Sequence, residues 1–425
     1  MVGAQLFLGK TYLAIEQPGQ ALPYLESAHK AKPTAESAIG LGMAYSGLKQ
    51  YGKAARLFRF DLEKPSDKKD TQLYFLGEAY LKESEQKANS LAANNPNSKY
   101  DHLLAAKIMD SQGRTQMAAK EYLEAGKKDP FNAAIFFPLA RTLAILGLDG
   151  PSGLALDRYR QLMVVDQRAS LDPGTLPKGQ AADVGPKTDY MAELKTLPSV
   201  DPGKLPPLPL LNGDVNSELR KRLASARADK WKAAVDQLLH GKWPEGIAVL
   251  KTLPAQDWLR EYLIAVAHLF AEEFDQAAAV VDAPVLTSHP APPVQMADWE
   301  VKQQLSFFYL NRLLEEFPQT ALAHYLKGRT LDAQGNKEAE TEYKAAIEAD
   351  PARSEARVAL ADLYLSGSKY EEALAECQKA LEVNAYLSPA KIRIGRIYIQ
   401  LRDPEKGIPY IQAECRCARS VFSPG

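Results

Sequence analysis

Six histidines, three cysteines and one glycine-rich stretch are the residues of this chain best suited to chemistry, and their spacing argues against it. His29, His102, His240, His268, His289 and His324 form no His-Glu-x-x-His pair for zinc, and none sits in a recognisable nucleophile context. No Gly-x-Ser-x-Gly elbow occurs. Gly40-Leu41-Gly42 with Gly47 superficially resembles a phosphate loop, but no strand precedes it and no Gly-Lys-Ser/Thr follows. Cys415 and Cys417 stand two apart, pointing in different directions on a helix, so a free thiol is expected rather than a disulfide or chelate. Glu272-Glu273 and Glu371-Glu372 read as solvated charge beside turns. No catalytic residue, metal ligand or cofactor is nominated.

The elements that hold these residues repeat. Leu8-Gly9-x-x-Tyr12 returns as Leu41-Gly42-x-x-Tyr45 and Leu76-Gly77-x-x-Tyr80, a period near 33 that implies a repeat array. Ala21, Leu25, Ala28 and Pro33 follow the first copy, and Ala54, Phe58 and Pro65 the second. The small residue lets two short antiparallel helices approach, the tyrosine stacks across the gap, and proline ends the second helix. Near the C-terminus the signature recurs at Gly328, Leu331, Tyr343 and Pro351, then at Leu360-Ala361 and Tyr364, then at Ile394-Gly395 and Tyr398.

On these residues the chain resembles the tetratricopeptide repeat family. The likeness is strong at both ends and moderate between them, where Ala105-Ala106 with Met109, Leu139-Ala140, Gly246 and Ile264-Ala265 mark degenerate copies. The resemblance implies an all-α superhelical solenoid of helix-turn-helix repeats. The expected division is a repeat array over 1–167, a proline-rich linker over 168–217, with Asp189 to Leu197 making a turn or two of helix, and a second array over 218–425. Pro290, Pro292 and Pro293 should interrupt helix, which resumes from Asp298 to Glu316 and ends before Pro318.

The resemblance also implies a function. In the family the first helix of each repeat lines a concave groove, and the fifth position falls here on Leu6, Ile39, Tyr74 and Leu103, an apolar column that should bind something or be covered by the chain itself. The ninth-position column beside it reads Lys10, Met43, Glu78 and Lys107. Further on, the two columns bring Tyr325 and Arg329, Val358 and Asp362, and Ile392 and Arg396, with Arg393 adjacent. Arg329, Asp362 and Arg396 recognise a peptide through charge-assisted hydrogen bonds, or pair with one another across the rungs. The carboxylate clamp of chaperone-binding members needs asparagine at set groove positions where this chain has none. A protein or peptide partner is expected, and Leu205 to Leu211, apolar and pre-extended, is a candidate to dock in a groove of its own chain. The alternative is an accessory subunit of a larger enzyme, secretion or envelope-assembly complex.

Composition narrows the classes further. A net charge of −1 creates no field for nucleic acid, and no apolar run approaches 18 residues, the length for a membrane span. The sequence as written reads as cytoplasmic. It starts inside a repeat's first helix without a cap, so a truncated start with an export signal upstream is the rival expectation.

Overall fold

The computed structural model describes residues 2–163, 188–200, 208, 213–225, 228–287 and 289–421, the side chains at 213–214 and 413–421 excepted. Among them every regular element is a helix, and there is no strand. The chain opens with α1 (Val2–Ala14), α2 (Pro18–Ala31), α3 (Ala35–Gly47), α4 (Tyr51–Phe58) and α5 (Lys69–Asn94). It continues with α6 (Lys99–Ser111), α7 (Thr115–Lys128), α8 (Ala133–Ile145), α9 (Asp149–Leu162) and α10 (Tyr190–Lys195). Next come α11 (Gly213–Leu223), α12 (Ala228–Leu239), α13 (Trp243–Leu250), α14 (Trp258–Phe270), α15 (Phe274–Val281), α16 (Pro284–Thr287) and α17 (Pro292–Glu316). The last are α18 (Ala321–Ala333), α19 (Ala339–Ala349), α20 (Ser354–Ser366), α21 (Tyr370–Val383), α22 (Ser388–Gln400) and α23 (Pro404–Val421).

Local chemistry sets these boundaries. Thr34 caps α3 by accepting from the Ser37 amide, and the Ser37 hydroxyl returns a bond to the Thr34 amide, a reciprocal cap that contributes on the order of 1 kcal/mol. Ser98, Asn132, Asp257 and Thr320 cap α6, α8, α14 and α18 by accepting from a backbone N–H of the first turn, without the returning bond. Between first and second helices the turn passes through left-handed backbone at Glu16, Lys49, Gly335, Ser368 and Arg402, and only Gly335 does so without a Cβ to crowd. Helix is interrupted around Pro290, between α16 and α17, but it resumes at Pro292 rather than at Asp298. Pro292 and Pro293 fall in the first turn of α17, where a missing N–H has no partner to lose.

The chain forms two compact units. One joins Met1–Tyr80 to Ser306–Gly425, and the other is Leu81–Leu305; the boundaries fall inside α5 and α17.

In the first unit α1 pairs with α2, α3 with α4, α18 with α19, α20 with α21, and α22 with α23. Each pair closes on a small residue of its first helix. A Cβ on Gly9 would meet Leu25, one on Gly42 would meet Phe58, one on Gly328 would meet Tyr343, and one on Gly395 would meet Ile411, all at 2.4–2.6 Å. Gly77 of α5 has the same close neighbour, but it is Leu310 of α17, at 2.5 Å. Tyr80 stacks on Tyr309 with ring centroids 6.0 Å apart, Lys69 pairs with Glu316 at 2.9 Å, and Arg312 pairs with Glu63 at 2.8 Å. The third repeat therefore takes its first helix from Lys69–Tyr80 and its second from Ser306–Glu316. The helix ending at Glu316 does precede the regular C-terminal repeats, and it completes a repeat that starts near the N-terminus.

The second unit has its own pairs, α6 with α7, α8 with α9, α12 with α13 and α14 with α15. One core runs through Leu103, Tyr122, Phe136, Leu143, Leu162 and Trp299. The turn or two of helix expected near Asp189 is α10, whose Tyr190 and Leu194 are buried in that core. Arg158 fastens the segment by donating to the Pro198 carbonyl at 3.0 Å and the Pro130 carbonyl at 2.6 Å. Within the remaining linker, Leu208 is buried, and its backbone N–H donates to Asn216 Oδ1 at 2.9 Å while its carbonyl accepts from Asn216 Nδ2 at 2.8 Å. The rest of Leu205 to Leu211 lies outside the described residues.

Candidate functional site: the first-helix ladder of the first unit

Because α5 and α17 complete one repeat, the first helices of this unit follow the order α1, α3, α5, α18, α20, α22, and their fifth positions make one ladder. Leu6 is half-buried against the cluster of Ala21, Leu25 and Leu41. Ile39 and Tyr74 are buried. Tyr325 meets Tyr74 with centroids 6.2 Å apart and its own second helix through Tyr343, also at 6.2 Å. Two columns that the sequence assigns to separate arrays thus join at Tyr74 and Tyr325. Leu103 is not on this ladder; it is buried in the core of the second unit.

The charges form rungs. Arg329 donates to Glu78 at 2.7 Å and to the Tyr74 hydroxyl at 3.4 Å, with its guanidinium 5.7 Å from the Tyr325 ring centroid. Burial works most strongly against the Arg329 cation, but Glu78, Tyr74 and Tyr325 together outweigh it and hold the pKa above the ordinary arginine value. Burial, then the Glu78 charge, pushes the Tyr74 hydroxyl well above its usual range. Asp362 takes a two-pronged bond from Arg393, 2.5 Å from Nε and 2.6 Å from Nη2, which raises the Arg393 pKa. Lys10 pairs with Glu36. Pairing across the rungs is therefore present with other partners than expected: Arg329 and Asp362 do not meet, and Arg396 is exposed. A cleft of about 170 Å³ opens between Tyr74, Glu78, Leu322, Tyr325 and Arg353.

Histidines serve packing. His102 bridges Glu121 at 2.7 Å and Asn97 at 2.9 Å, His324 meets Glu342 at 2.7 Å, and His268 meets Glu273 at 2.6 Å. His102 and His324 occupy the same place in their repeats, and each ties a first helix to its second. Burial pushes the Cys377 thiol up to about 12, which keeps it protonated and a poor nucleophile. Among the described residues no cluster of His, Cys, Asp and Glu is placed to hold a metal ion, and no helix is long and apolar enough to cross a membrane.

Two features escaped the sequence reading. In the second unit Lys302 is fully buried between Glu83, at 2.6 Å, and Asp298, at 2.9 Å; a lysine four residues after an aspartate gives no hint of burial. A groove of about 580 Å³ in the same unit is lined by Lys107, Ile108, Tyr262, Phe270, Trp299 and Glu300, from segments too far apart in sequence to signal it.

Paired helices closed on small residues, stacked so that first helices share a face, define a helical-repeat fold. A tetratricopeptide repeat model matches residues 331–389, and the helix pairs described above repeat the same helix-turn-helix construction along the rest of the first unit. Comparison with curated proteins gives no match. Similar solved structures include yeast Tom70, at 14% identity over 97% of this chain and 91% of that chain with a TM-score of 0.26. Another is the Cut9 and Hcn1 hetero-tetramer of the APC/C, at 12% identity over 95% and 91% with a TM-score of 0.25. MamA from Desulfovibrio magneticus RS-1 aligns at 18% identity over 50% of this chain and 99% of that chain, with a TM-score of 0.25.

Proposed function

We infer that the chain is a non-enzymatic scaffold that holds a protein partner along the first-helix ladder of its first unit. The observation that carries this reading is the meeting of Tyr74 and Glu78 with Tyr325 and Arg329, which makes one graded apolar and charged surface from six first helices. Concave surfaces of repeat stacks are large, preformed and lined by side chains on rigid elements, which suits recognition of a peptide or a helix.

The test is capture of partners on the full chain, identification by mass spectrometry, and hydrogen exchange on the reconstituted complex. Protection is expected on α1, α3, α18, α20 and α22. Protection confined to second helices would refute the ladder as the site. A single stoichiometric partner that never dissociates would favour a fixed subunit of a larger complex over a scaffold with exchanging ligands.

A further inference from the structure

The groove of about 580 Å³ is lined by residues of the second unit alone and is no part of the first-helix ladder. Helix α14 gives it Tyr262, Val266 and Phe270, one residue per turn, while α6 gives Ile108 and α17 gives Trp299. Ile108 and Phe270 are large apolar side chains, 42% and 46% exposed. Stacking on Trp243, with ring centroids 5.0 Å apart, holds the Phe270 ring, so the apolar lining is preformed.

Its charges are already matched. Lys107, Glu300 and Glu85 are the charged residues of the lining; Lys107 pairs with Glu300 at 2.7 Å and Glu85 with Lys82 at 2.8 Å. Gln112 and Gln304 also line the groove, and among the described residues neither side-chain amide has a partner. Tyr262 to Phe270 spans about 12 Å of helix, so 580 Å³ over that length leaves a cross-section of about 50 Å². A helix with its side chains is about 10–12 Å across and needs roughly 80–110 Å². An extended chain, about 4.8 Å by about 10 Å, needs roughly 48 Å².

We propose that this groove binds a short extended segment of a partner protein, about four residues long, with apolar side chains and no charge. It is a site additional to the ladder, with its own ligand chemistry. Cross-section selects an extended chain, and the two amides select it again. An extended segment brings main-chain N–H and C=O groups without partners, and Gln112 and Gln304 can both accept from and donate to them, whereas a helix has satisfied its own. Same-face side chains of such a segment recur about every 6.8 Å, close to the roughly 6 Å between successive members of Tyr262, Val266 and Phe270. The matched charges select against an acid or a base, since either would be desolvated without a partner. The chain's own apolar segment from Leu205 to Leu211 fits badly: Leu208 at its centre has its backbone N–H and carbonyl taken by Asn216, and neither residue lines the groove.

The test is fluorescence polarisation on the full chain with fluorescein-labelled Gly-Ser-Val-Thr-Val-Thr-Val-Ser-Gly, whose β-branched residues favour the extended form. Parallel probes place leucine or phenylalanine at the valines, lysine or glutamate at the central valine, or the same valines on one face of a stapled helix. At least one uncharged extended probe should bind, with an affinity indifferent to salt. The lysine and glutamate forms should both bind about tenfold more weakly or worse, and the stapled helix not measurably. Ile108→Ser and Phe270→Ser should each weaken binding about tenfold, with far-ultraviolet circular dichroism unchanged. No binding by any extended probe, equal binding of the stapled helix, a preference for one sign of charge, or indifference to Ile108→Ser would overturn the proposal. Tighter binding after Leu205→Ser, Leu210→Ser and Leu211→Ser together would give the groove to the chain's own segment and overturn it too. Hydrogen exchange on α1, α3, α18, α20 and α22 tests the ladder separately, so either site can fail without the other.

Discussion

At Gly77 a single hydrogen decides whether two helices can touch. A methyl group there would sit 2.5 Å from Leu310 Cγ and 3.3 Å from the Ser306 carbonyl, so Gly77→Ala should cost about 1–3 kcal/mol through overpacking. Leu310→Ala alone should cost about 2–5 kcal/mol through a cavity. Combined, the two should cost less than their sum, because the methyl enters the space the leucine leaves. Additive losses in urea unfolding would show that Gly77 and Leu310 do not share a crossing. His29 supplies a pH response: burial holds its pKa below the ordinary 6.5, with Ser37 Oγ 2.9 Å from Nδ1 and the Phe60 ring edge-on at 5.3 Å. The folded state then binds the proton more weakly than the unfolded chain, so stability is fully present above pH 6.5 and falls as pH drops toward the folded pKa. His29→Gln should flatten that slope; an unaltered slope would place the effect elsewhere. The glycines that close helix pairs were legible from spacing, since Gly9, Gly42, Gly77 and Gly395 each stand three residues before a tyrosine and Gly328 stands three before Leu331. What Gly77 closes against was not, because Leu310 carries no mark of its partner.

At the level of elements, α5 and α17 contribute buried charge as well as length. Lys302 neutralises Glu83 and Asp298 in the interior of the second unit, and these carboxylates together keep its pKa above normal against the burial that would lower it. Lys302→Met should cost about 3–5 kcal/mol, since it strands two buried carboxylates. Adding Glu83→Gln and Asp298→Asn should recover part of the loss, because no carboxylate is then stranded. No recovery in urea unfolding would mean that packing, not charge, sets the cost. Helix existence was largely readable from apolar period and caps, yet Pro292 and Pro293 read as an interruption. Position within the first turn, which sequence spacing does not reveal, turned them from breakers into starters.

For the whole chain, stacking order departs from sequence order. Composition suggests arrays before and after a proline-rich stretch, and the contacts instead unite Met1–Tyr80 with Ser306–Gly425. Repeats that resemble one another carry little information about which neighbour follows which, so the join at the third repeat was invisible while the repeating unit was plain. One consequence can be measured by native-state hydrogen exchange. Leu310→Ala should lower protection in Phe75–Tyr80 and in α18 together, as neighbouring members of one stack do. A loss restricted to α17 would deny that the third repeat is shared.

That sharing also sets a clock. Arg312 and Glu63 lie 249 positions apart, so during synthesis the third repeat must wait for the ribosome to add all that separates its halves. At roughly 5–20 residues per second, the wait is on the order of ten seconds to a minute. Through that interval Gly77 has no Leu310 and Tyr80 no Tyr309, and the nascent N-terminal repeats offer an open apolar edge to whatever chaperone or wrong neighbour arrives first.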